Sequence, residues 1–131
     1  MKILLNLFLV GIFPFAYAGS PDVAISMVPR GKVVDTIGRD YRIRTIAGTK
    51  IELEFKRNGI LEEAKGMNLN KGDDLEPGYG LISLSSAAQI LQSMGKKPQG
   101  LWLLEKDEKM GWIYEFQGTI ISAKDGSILS R

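Results

Sequence analysis

The sequence predicts an α+β fold, in which one main helix packs on an antiparallel sheet of about seven short strands. Two stretches of the chain lead to this prediction. Residues 81–131 contain one helical pattern with a start and a stop signal, followed by runs in which apolar and polar residues alternate. Residues 31–66 contain four further alternating runs, separated by turns that contain glycine. We interpret residues 19–131 as a single domain, in which residues 67–80 form the loop between the two halves.

The helix is predicted over residues 83–94 by its two ends and by its apolar stripe. Ser83 stands at the N-cap position, where its hydroxyl can accept a hydrogen bond from an unpaired backbone N–H of the first turn. Gly95 supplies a left-handed stop. The apolar residues that recur at helical spacing are Leu84, Ala87, Ala88, Leu91 and Met94. We therefore expect Leu91 to face the sheet and Gln92 to face solvent.

Two hairpins are predicted at the end of the chain. A turn at Gln117-Gly118 would bring large, mostly apolar side chains together on one face of the first hairpin. The expected cross-strand pairs are Phe116–Thr119, Tyr114–Ile121 and Trp112–Ala123. Asp125-Gly126 is the stronger turn signal, because both central positions of a two-residue type I′ turn need positive φ. That second turn would place Ala123 opposite Ile128.

Strands are predicted in the middle of the chain at residues 32–36, 41–46, 51–56 and 60–64. The second and third strands bury their apolar faces together if a three-residue loop, Ala47 to Thr49, joins them. The expected pairs are then Tyr41–Phe55, Ile43–Leu53 and Thr45–Ile51, with Arg42–Glu54 and Arg44–Glu52 on the other face. We interpret these four charges as a solvated ladder rather than a ligand site.

A second three-residue loop is predicted at Arg57-Asn58-Gly59, with Gly59 in the left-handed position. It places Leu61 opposite Phe55. Residues 41–64 and 112–130 both follow the order strand, Gly-Thr, strand, Gly turn, Ile-Leu. This similarity suggests a duplicated hairpin unit with a degenerate first copy at residues 31–66. Because there are only two divergent copies, a chance similarity is the alternative explanation.

The first eighteen residues are predicted to be a secretory signal peptide. Lys2 gives a positive start, residues 3–15 are almost entirely apolar, and Ala16-Tyr17-Ala18 supplies small residues at positions −3 and −1. Cleavage is expected between Ala18 and Gly19. The alternative, a membrane anchor, is disfavoured because the apolar run is short for a bilayer. We therefore expect a periplasmic or secreted bacterial protein with no stable membrane anchor after cleavage.

Composition excludes many kinds of catalytic site. The chain has no histidine and no cysteine, which rules out serine–histidine and cysteine–histidine catalysis, zinc–histidine sites and disulfides. Without Lys2, the charge of residues 19–131 is 16 basic minus 15 acidic, or +1. This near-neutral balance argues against a nucleic-acid partner. We expect that the protein is not an enzyme and binds no cofactor. An enzyme that uses carboxylates alone is the least favoured interpretation.

The loop at residues 67–80 is the predicted partner-binding segment. It is rich in Gly, Asn and Asp, and a long loop without secondary structure is often functional. The residues predicted to contact a partner are Met67, Leu69, Asp73, Asp74 and Tyr79. A calcium site at Asp73, Asp74 and Glu76 is an alternative, but their spacing does not match an EF-hand. No metal site is therefore predicted. Tyr79, Trp102 and Trp112 form either an aromatic contact surface or, as we favour, part of the core.

The last fifty residues or so resemble the PepSY domain family. The stretches that carry the resemblance are Ile82-Ser83-Leu84-Ser85-Ser86-Ala87, Trp112-Ile113-Tyr114-Glu115-Phe116 and Ser122-Ala123-Lys124-Asp125-Gly126-Ser127-Ile128-Leu129. Ser122 departs from the pattern, since the family often has aspartate there. PepSY modules occur in propeptides of secreted metallopeptidases and as free-standing secreted modules. The resemblance implies a PepSY-like fold, an extracytoplasmic location and a peptidase as candidate target.

These observations lead to one favoured function and one alternative. The favoured function is a secreted, non-catalytic binding or inhibitory module that acts on an envelope or secreted protein, with a peptidase inhibited in trans as the candidate implied by the resemblance. The alternative is a sensor or accessory module that binds a small envelope ligand between helix and sheet. An inhibitor should present a protruding loop or an open strand edge, whereas a ligand binder should have an enclosed apolar cavity.

Overall fold

A computed structural model describes residues 21–130 of the chain. The predicted signal peptide and its cleavage site therefore lie outside the described residues. The elements, in chain order, are α1 (Pro21–Met27), β1 (Lys32–Ile37), β2 (Asp40–Arg44), β3 (Lys50–Phe55), β4 (Leu61–Met67), α2 (Leu84–Ser93), β5 (Leu101–Asp107), β6 (Gly111–Phe116), β7 (Thr119–Ser122) and β8 (Ile128–Ser130).

The eight strands form one antiparallel sheet in sequential order, β1 to β8. One face of this sheet, the inner face, carries the core. Its fully buried side chains include Ile43, Leu53, Leu104, Tyr114 and Ile121. Because side chains alternate along each strand, those between the core residues point to the opposite, outer face. This outer face is partly exposed. The sheet therefore has one apolar face and one largely charged face.

Helix α2 confirms the predicted boundaries and phase. The Ser83 hydroxyl accepts a hydrogen bond from the N–H of Ser86 at 3.2 Å, as expected for an N-cap. Gly95 has a φ of 81°, and its N–H donates to the carbonyl of Gln92, which ends the helix with a left-handed residue. Leu91 is buried and Gln92 is exposed. The apolar stripe therefore faces the core as predicted.

Both helices cover the inner face, and hydrogen bonds attach them to it. The N–H of Ile82 donates to the carbonyl of Ala123 at 2.7 Å, and the hydroxyl of Tyr114 donates to the carbonyl of Ile82 at 2.8 Å. Burial of Tyr114, with Asp74 nearby, raises the pKa of its hydroxyl above the ordinary value. Helix α1 covers the same face at β1 and β2, near the first edge of the sheet. Its Met27 carbonyl accepts from the N–H of Glu76 at 2.7 Å.

The predicted α+β class with one main helix is wrong, because the fold is dominated by the sheet. All eight strands belong to a single meander, and helices make up about 14% of the chain. Helix α2 has 10 residues and α1 has 7, so neither alone spans an eight-stranded sheet. The segment between β4 and α2 fills the rest of the inner layer through residues such as the fully buried Leu75. Apart from the long segment that carries α2, the connections between consecutive strands are short, which favours this continuous antiparallel order.

The predicted register between β2 and β3 is also wrong, by two residues. Tyr41 pairs with Leu53 and Ile43 with Ile51, so the same faces meet one pair further along. The loop does contain three residues, but it spans residues 46–48 instead of 47–49, since the N–H of Thr45 donates to the carbonyl of Thr49. Gly48 has a φ of 89° and occupies the last loop position. A three-residue hairpin needs its left-handed residue there, and this requirement sets the register.

Two other turns are formed as predicted. Gly59 has a φ of 87°, and the hairpin around it pairs Phe55 with Leu61. Gln117 and Gly118 have φ values of 48° and 93°, as a type I′ turn requires. The expected pairs Phe116–Thr119 and Tyr114–Ile121 are both present. The turns of the two proposed hairpin copies thus differ in length, and the duplication stays a prediction.

The last turn differs from the predicted two-residue hairpin. Ile128 pairs with Ile121 rather than with Ala123, because the loop contains four residues, 123–126. Gly126 keeps its predicted positive φ, at 78°. The carboxylate of Asp125 accepts hydrogen bonds from the N–H and hydroxyl of Ser127 at 2.9 and 2.7 Å. These local bonds stabilise the longer loop, as in an Asx turn.

Replacing Gly126 should destabilise the protein for two reasons. A β-branched side chain resists positive φ, and a Cβ at this position would lie 2.8 Å from Cδ1 of Ile90 in α2. We expect Gly126→Val to lower the free energy of unfolding by more than about 1 kcal/mol, and Asp125→Ala by less. Urea denaturation of both variants measures the difference. Equal and negligible shifts of the midpoint would contradict this account of the turn.

Candidate functional site

The predicted partner-binding loop is folded against the body of the protein. Asp73 is buried, and its Oδ2 accepts hydrogen bonds from the Thr49 hydroxyl at 2.7 Å and from the N–H of Asn70 at 3.1 Å. Its Oδ1 is buried and has no hydrogen-bond partner among the described residues. Thr49 in turn bonds to the hydroxyl of Thr45 at 2.8 Å. Asp73 therefore fastens the loop to the turn between β2 and β3.

Asp74 connects the same loop to the start of α2. Its Oδ1 accepts from the N–H of Leu75 at 2.8 Å and from the N–H of Ser85 at 2.9 Å, and its Oδ2 accepts from the Ser85 hydroxyl at 3.1 Å. A carboxylate beside the first turn of a helix accepts from an otherwise unpaired N–H and interacts favourably with the positive end of the helix dipole. Among residues 21–130, the acids whose carboxylate oxygens lie close enough to share one metal ion, within 4.8 Å of one another, are Asp40, Glu52 and Glu54. The acids of this loop do not form such a group.

Tyr79 is held rigidly although half of its surface is exposed. It has a φ of 56° between two left-handed glycines, and its hydroxyl oxygen accepts from the N–H of Leu61 at 3.2 Å. Its ring lies parallel to Trp112, with 6.4 Å between centroids and 5° between planes. Trp102, by contrast, is buried. The three predicted aromatics thus do not form one surface, since only Tyr79 and Trp112 meet.

The five predicted contact residues do not converge on one site. Leu69 is half-buried against the core, and Asp73 and Asp74 serve internal hydrogen bonds. The exposed members are Met67 and Tyr79, with 55% and 51% of their surfaces accessible. Met67 ends β4, whereas Tyr79 contacts the first residue of that seven-residue strand. These two side chains therefore lie on the order of 20 Å apart.

Met67 belongs to an open groove on the outer face of the sheet. The groove has a volume of about 550 Å³ and lies across β2 to β5. Met67 pairs across strands with Leu101, which is 53% exposed, so two large apolar side chains stand side by side on its floor. The volume falls within the range of about 300–1,000 Å³ that is typical of ligand sites. Because it lies opposite the helices, it is not the predicted cavity between helix and sheet.

Charges divide the outer face into two zones. Around the groove lie the cationic side chains Arg42, Lys50 and Lys65, together with Glu52. Two residues further along each strand runs a row of acids on four consecutive strands, hereafter the acidic row: Asp40, Glu54, Glu63 and Glu105. Partial burial, and then neighbouring carboxylates led by Glu63, raise the pKa of Glu54 and of Glu105. Like charges in the acidic row therefore repel one another.

The raised pKa values predict a dependence of stability on pH. A carboxyl group that binds its proton more tightly in the folded state stabilises the fold as the pH falls through its folded pKa. We expect the free energy of unfolding to rise slightly as the pH is lowered from neutrality toward 4.5, the ordinary value for these groups. At still lower pH, stability should fall, since backbone N–H groups lower the pKa of Asp107 and of Asp125.

Urea denaturation at several pH values measures this dependence. The double variant Glu54→Gln, Glu105→Gln should be more stable at neutral pH and should lose the rise toward pH 4.5. Substitution of the two residues leaves Asp107 and Asp125 in place, so the decrease at lower pH should remain. A wild-type slope in the double variant would contradict the assignment to the acidic row.

Sequence reasoning predicted Met67 as a contact residue, but it did not point to Leu101 or to the groove cations Lys50 and Lys65. Strand β4 was expected to end at residue 64, and its actual extension to Met67 brings Met67 beside Leu101. No sequence period marks this pair, because β5 begins with the continuous apolar run Leu101-Trp102-Leu103-Leu104. Which residues then share a row depends on pairing between strands distant in sequence.

Three comparisons with known proteins found no match for this chain. No family model, no curated protein and no solved structure matches this chain. The resemblance to the PepSY family and what it implies therefore stay predictions. Within residues 21–130, neither helix is long and apolar enough to cross a bilayer.

Proposed function

We propose that this protein is a secreted, non-catalytic module that binds an envelope or secreted protein, and that the groove on the outer face is its contact surface. The observation that carries the proposal is the exposed cross-strand pair of Met67 and Leu101 on the groove floor. Large apolar side chains that stand exposed and adjacent favour a binding surface over an ordinary solvated face. The chain also lacks histidine and cysteine, which agrees with binding without turnover.

A protein partner is favoured over an enclosed small ligand by the shape of the site. The groove is an open depression on a sheet face, and its exposed methionine suits an adaptable contact with a partner side chain. The small-ligand alternative required a cavity between helix and sheet, where the described side chains pack as one core. A peptidase remains the candidate partner implied by the sequence resemblance, and inhibition in trans is part of the proposal.

The experiment compares two double variants of residues 19–131 in capture from the secreted and envelope fractions of the source cells. In Met67→Thr, Leu101→Thr the groove floor becomes polar, while threonine retains a high strand propensity. The matched control, Ile37→Thr, Met110→Thr, removes one methionine and one aliphatic residue that are exposed elsewhere, at 56% and 40%. We expect the first variant to lose most of the captured partner and the control to retain it.

Circular dichroism and urea denaturation must show that both double variants are folded. Any captured peptidase is then assayed with and without the purified protein, which tests inhibition separately from binding. Equal capture by the two variants would discard the groove as the contact surface. If no protein is captured, and a small molecule co-purifies with the wild type alone, the ligand-binding alternative replaces the proposal.

A further inference from the structure

The composition of the groove indicates what chemistry its occupant should have. The floor is apolar at Met67 and Leu101. Its lining carries three cations and one acid, Glu52, so its formal charge is 3 − 1 = +2, although the charge of the whole chain is also only +2. A local excess of positive charge on so small a surface favours a partner that carries carboxylates.

The cations of the groove are available to such a partner. Lys50 is exposed and takes part in neither of the ion pairs between described residues. Arg42 pairs with Asp35 at 2.8 Å, and Lys65 lies 3.8 Å from Glu63, in both cases between partly exposed side chains. Surface pairs of this kind contribute about 0–1 kcal/mol. A carboxylate from a partner can therefore replace them at little cost.

The acidic row sets the limit of the site. It begins two residues along each strand from the groove, which corresponds to about 7 Å. An anionic partner is repelled there by four carboxylates on neighbouring strands. Partial burial and then these neighbours raise the pKa of Glu54 and of Glu105. The zone that attracts carboxylates thus coincides with the zone that has an exposed apolar floor. This coincidence selects one part of the sheet face.

We propose that the groove binds a segment of the partner protein that carries a large apolar side chain flanked by carboxylates. The apolar side chain covers Met67 and Leu101, while the carboxylates face Arg42, Lys50 and Lys65. In an extended segment, side chains on one face recur every second residue. An apolar residue with acids two positions before and after it therefore presents all three groups to the groove together. This inference rests on the proposed function, because it assumes that the groove is the contact surface.

The test uses short synthetic peptides and the mature wild-type protein, with binding followed by amide chemical shifts in NMR. The probe is Ser-Asp-Ser-Leu-Ser-Asp-Ser with both ends blocked. One control peptide has lysine in place of both aspartates, and another has serine in place of leucine. We expect the probe alone to shift the amides of Lys50, Lys65 and Leu101, with at least tenfold weaker binding of either control. Raising the salt from about 50 to about 300 mM should weaken it further.

Protein variants test the same contacts from the other side. Lys50→Glu should weaken binding of the probe at least tenfold, whereas Lys124→Glu, an exposed lysine in the turn before β8, should leave it unchanged. Equal binding of the lysine peptide, or no groove shifts with any peptide, would overturn the inference. So would binding to vesicles of anionic phospholipid with no response to the peptides.

The outcomes also separate this inference from the proposed function. If the peptides fail while capture of the partner still depends on Met67 and Leu101, the groove remains the contact surface and the inferred acidic chemistry is wrong. If the probe binds in the groove but capture is equally strong with the Met67→Thr, Leu101→Thr variant, the proposed protein contact is wrong.

Discussion

Leu91→Ala should lower the free energy of unfolding by about 2–5 kcal/mol, the range for truncating a buried leucine. Leu91 is 1% exposed and belongs to the core between α2 and the inner face of the sheet. Its removal leaves a cavity, because the strands beneath it are fixed by their ladders and cannot close on the space. Urea denaturation monitored by far-ultraviolet circular dichroism measures the loss.

Gln92→Ala is the matched control for this prediction. Gln92 is the next residue of the same helix and is exposed, so its truncation should change stability by less than about 0.5 kcal/mol. Both substitutions introduce alanine, the best helix former, so helix propensity does not explain a loss. Similar effects at the two positions would show that the apolar stripe of α2 does not face the sheet.

Asp74→Ala should lower the free energy of unfolding by about 2 kcal/mol. The substitution leaves the N–H groups of Leu75 and Ser85 without their acceptor, and an unpaired donor away from water costs about 1–3 kcal/mol. It also removes a negative charge from the start of α2. The effect should therefore appear both in the urea midpoint and in faster amide exchange at the first turn of the helix.

Asp74→Asn separates the hydrogen bonds from the charge. The amide oxygen of asparagine can still accept from Leu75 and Ser85, and its NH₂ group can donate to the Ser85 hydroxyl. We expect this variant to lose less than half as much stability as Asp74→Ala. A loss as large as that of Asp74→Ala would assign the effect to the charge, and no loss in either variant would contradict a role for Asp74 in the fold.

These internal bonds change how the loop at residues 67–80 is best tested. Shortening a loop alters closure entropy only slowly with length, so a loop without internal contacts can be shortened at little cost in stability. Yet Asp73 and Asp74 fasten this loop to the turn before β3 and to α2, and Leu75 fills the core. A deletion would therefore damage the fold as well as any contact. Point substitutions in the groove avoid this problem.

Local patterns in the sequence determined the elements that depend on neighbouring residues. The cap at Ser83, the stop at Gly95 and the two-residue turn at Gln117-Gly118 were all predicted, since each depends only on residue types a few positions apart. The absence of histidine and cysteine likewise excludes whole classes of active site from composition alone. None of these conclusions needs a contact between distant parts of the chain.

Tertiary structure decided the features that depend on which strands become neighbours. A shift of one residue in the loop around Gly48 moved the β2–β3 register by two, although either register buries the same faces. The single eight-stranded meander replaced the predicted α+β class, because the extent of a sheet follows from pairing and not from the pattern within each strand. Pairing between β4 and β5 also brought Met67 beside Leu101, and so created the groove. Sequence period fixes the face of a strand on which a side chain lies, whereas only the assembled sheet fixes its neighbours there.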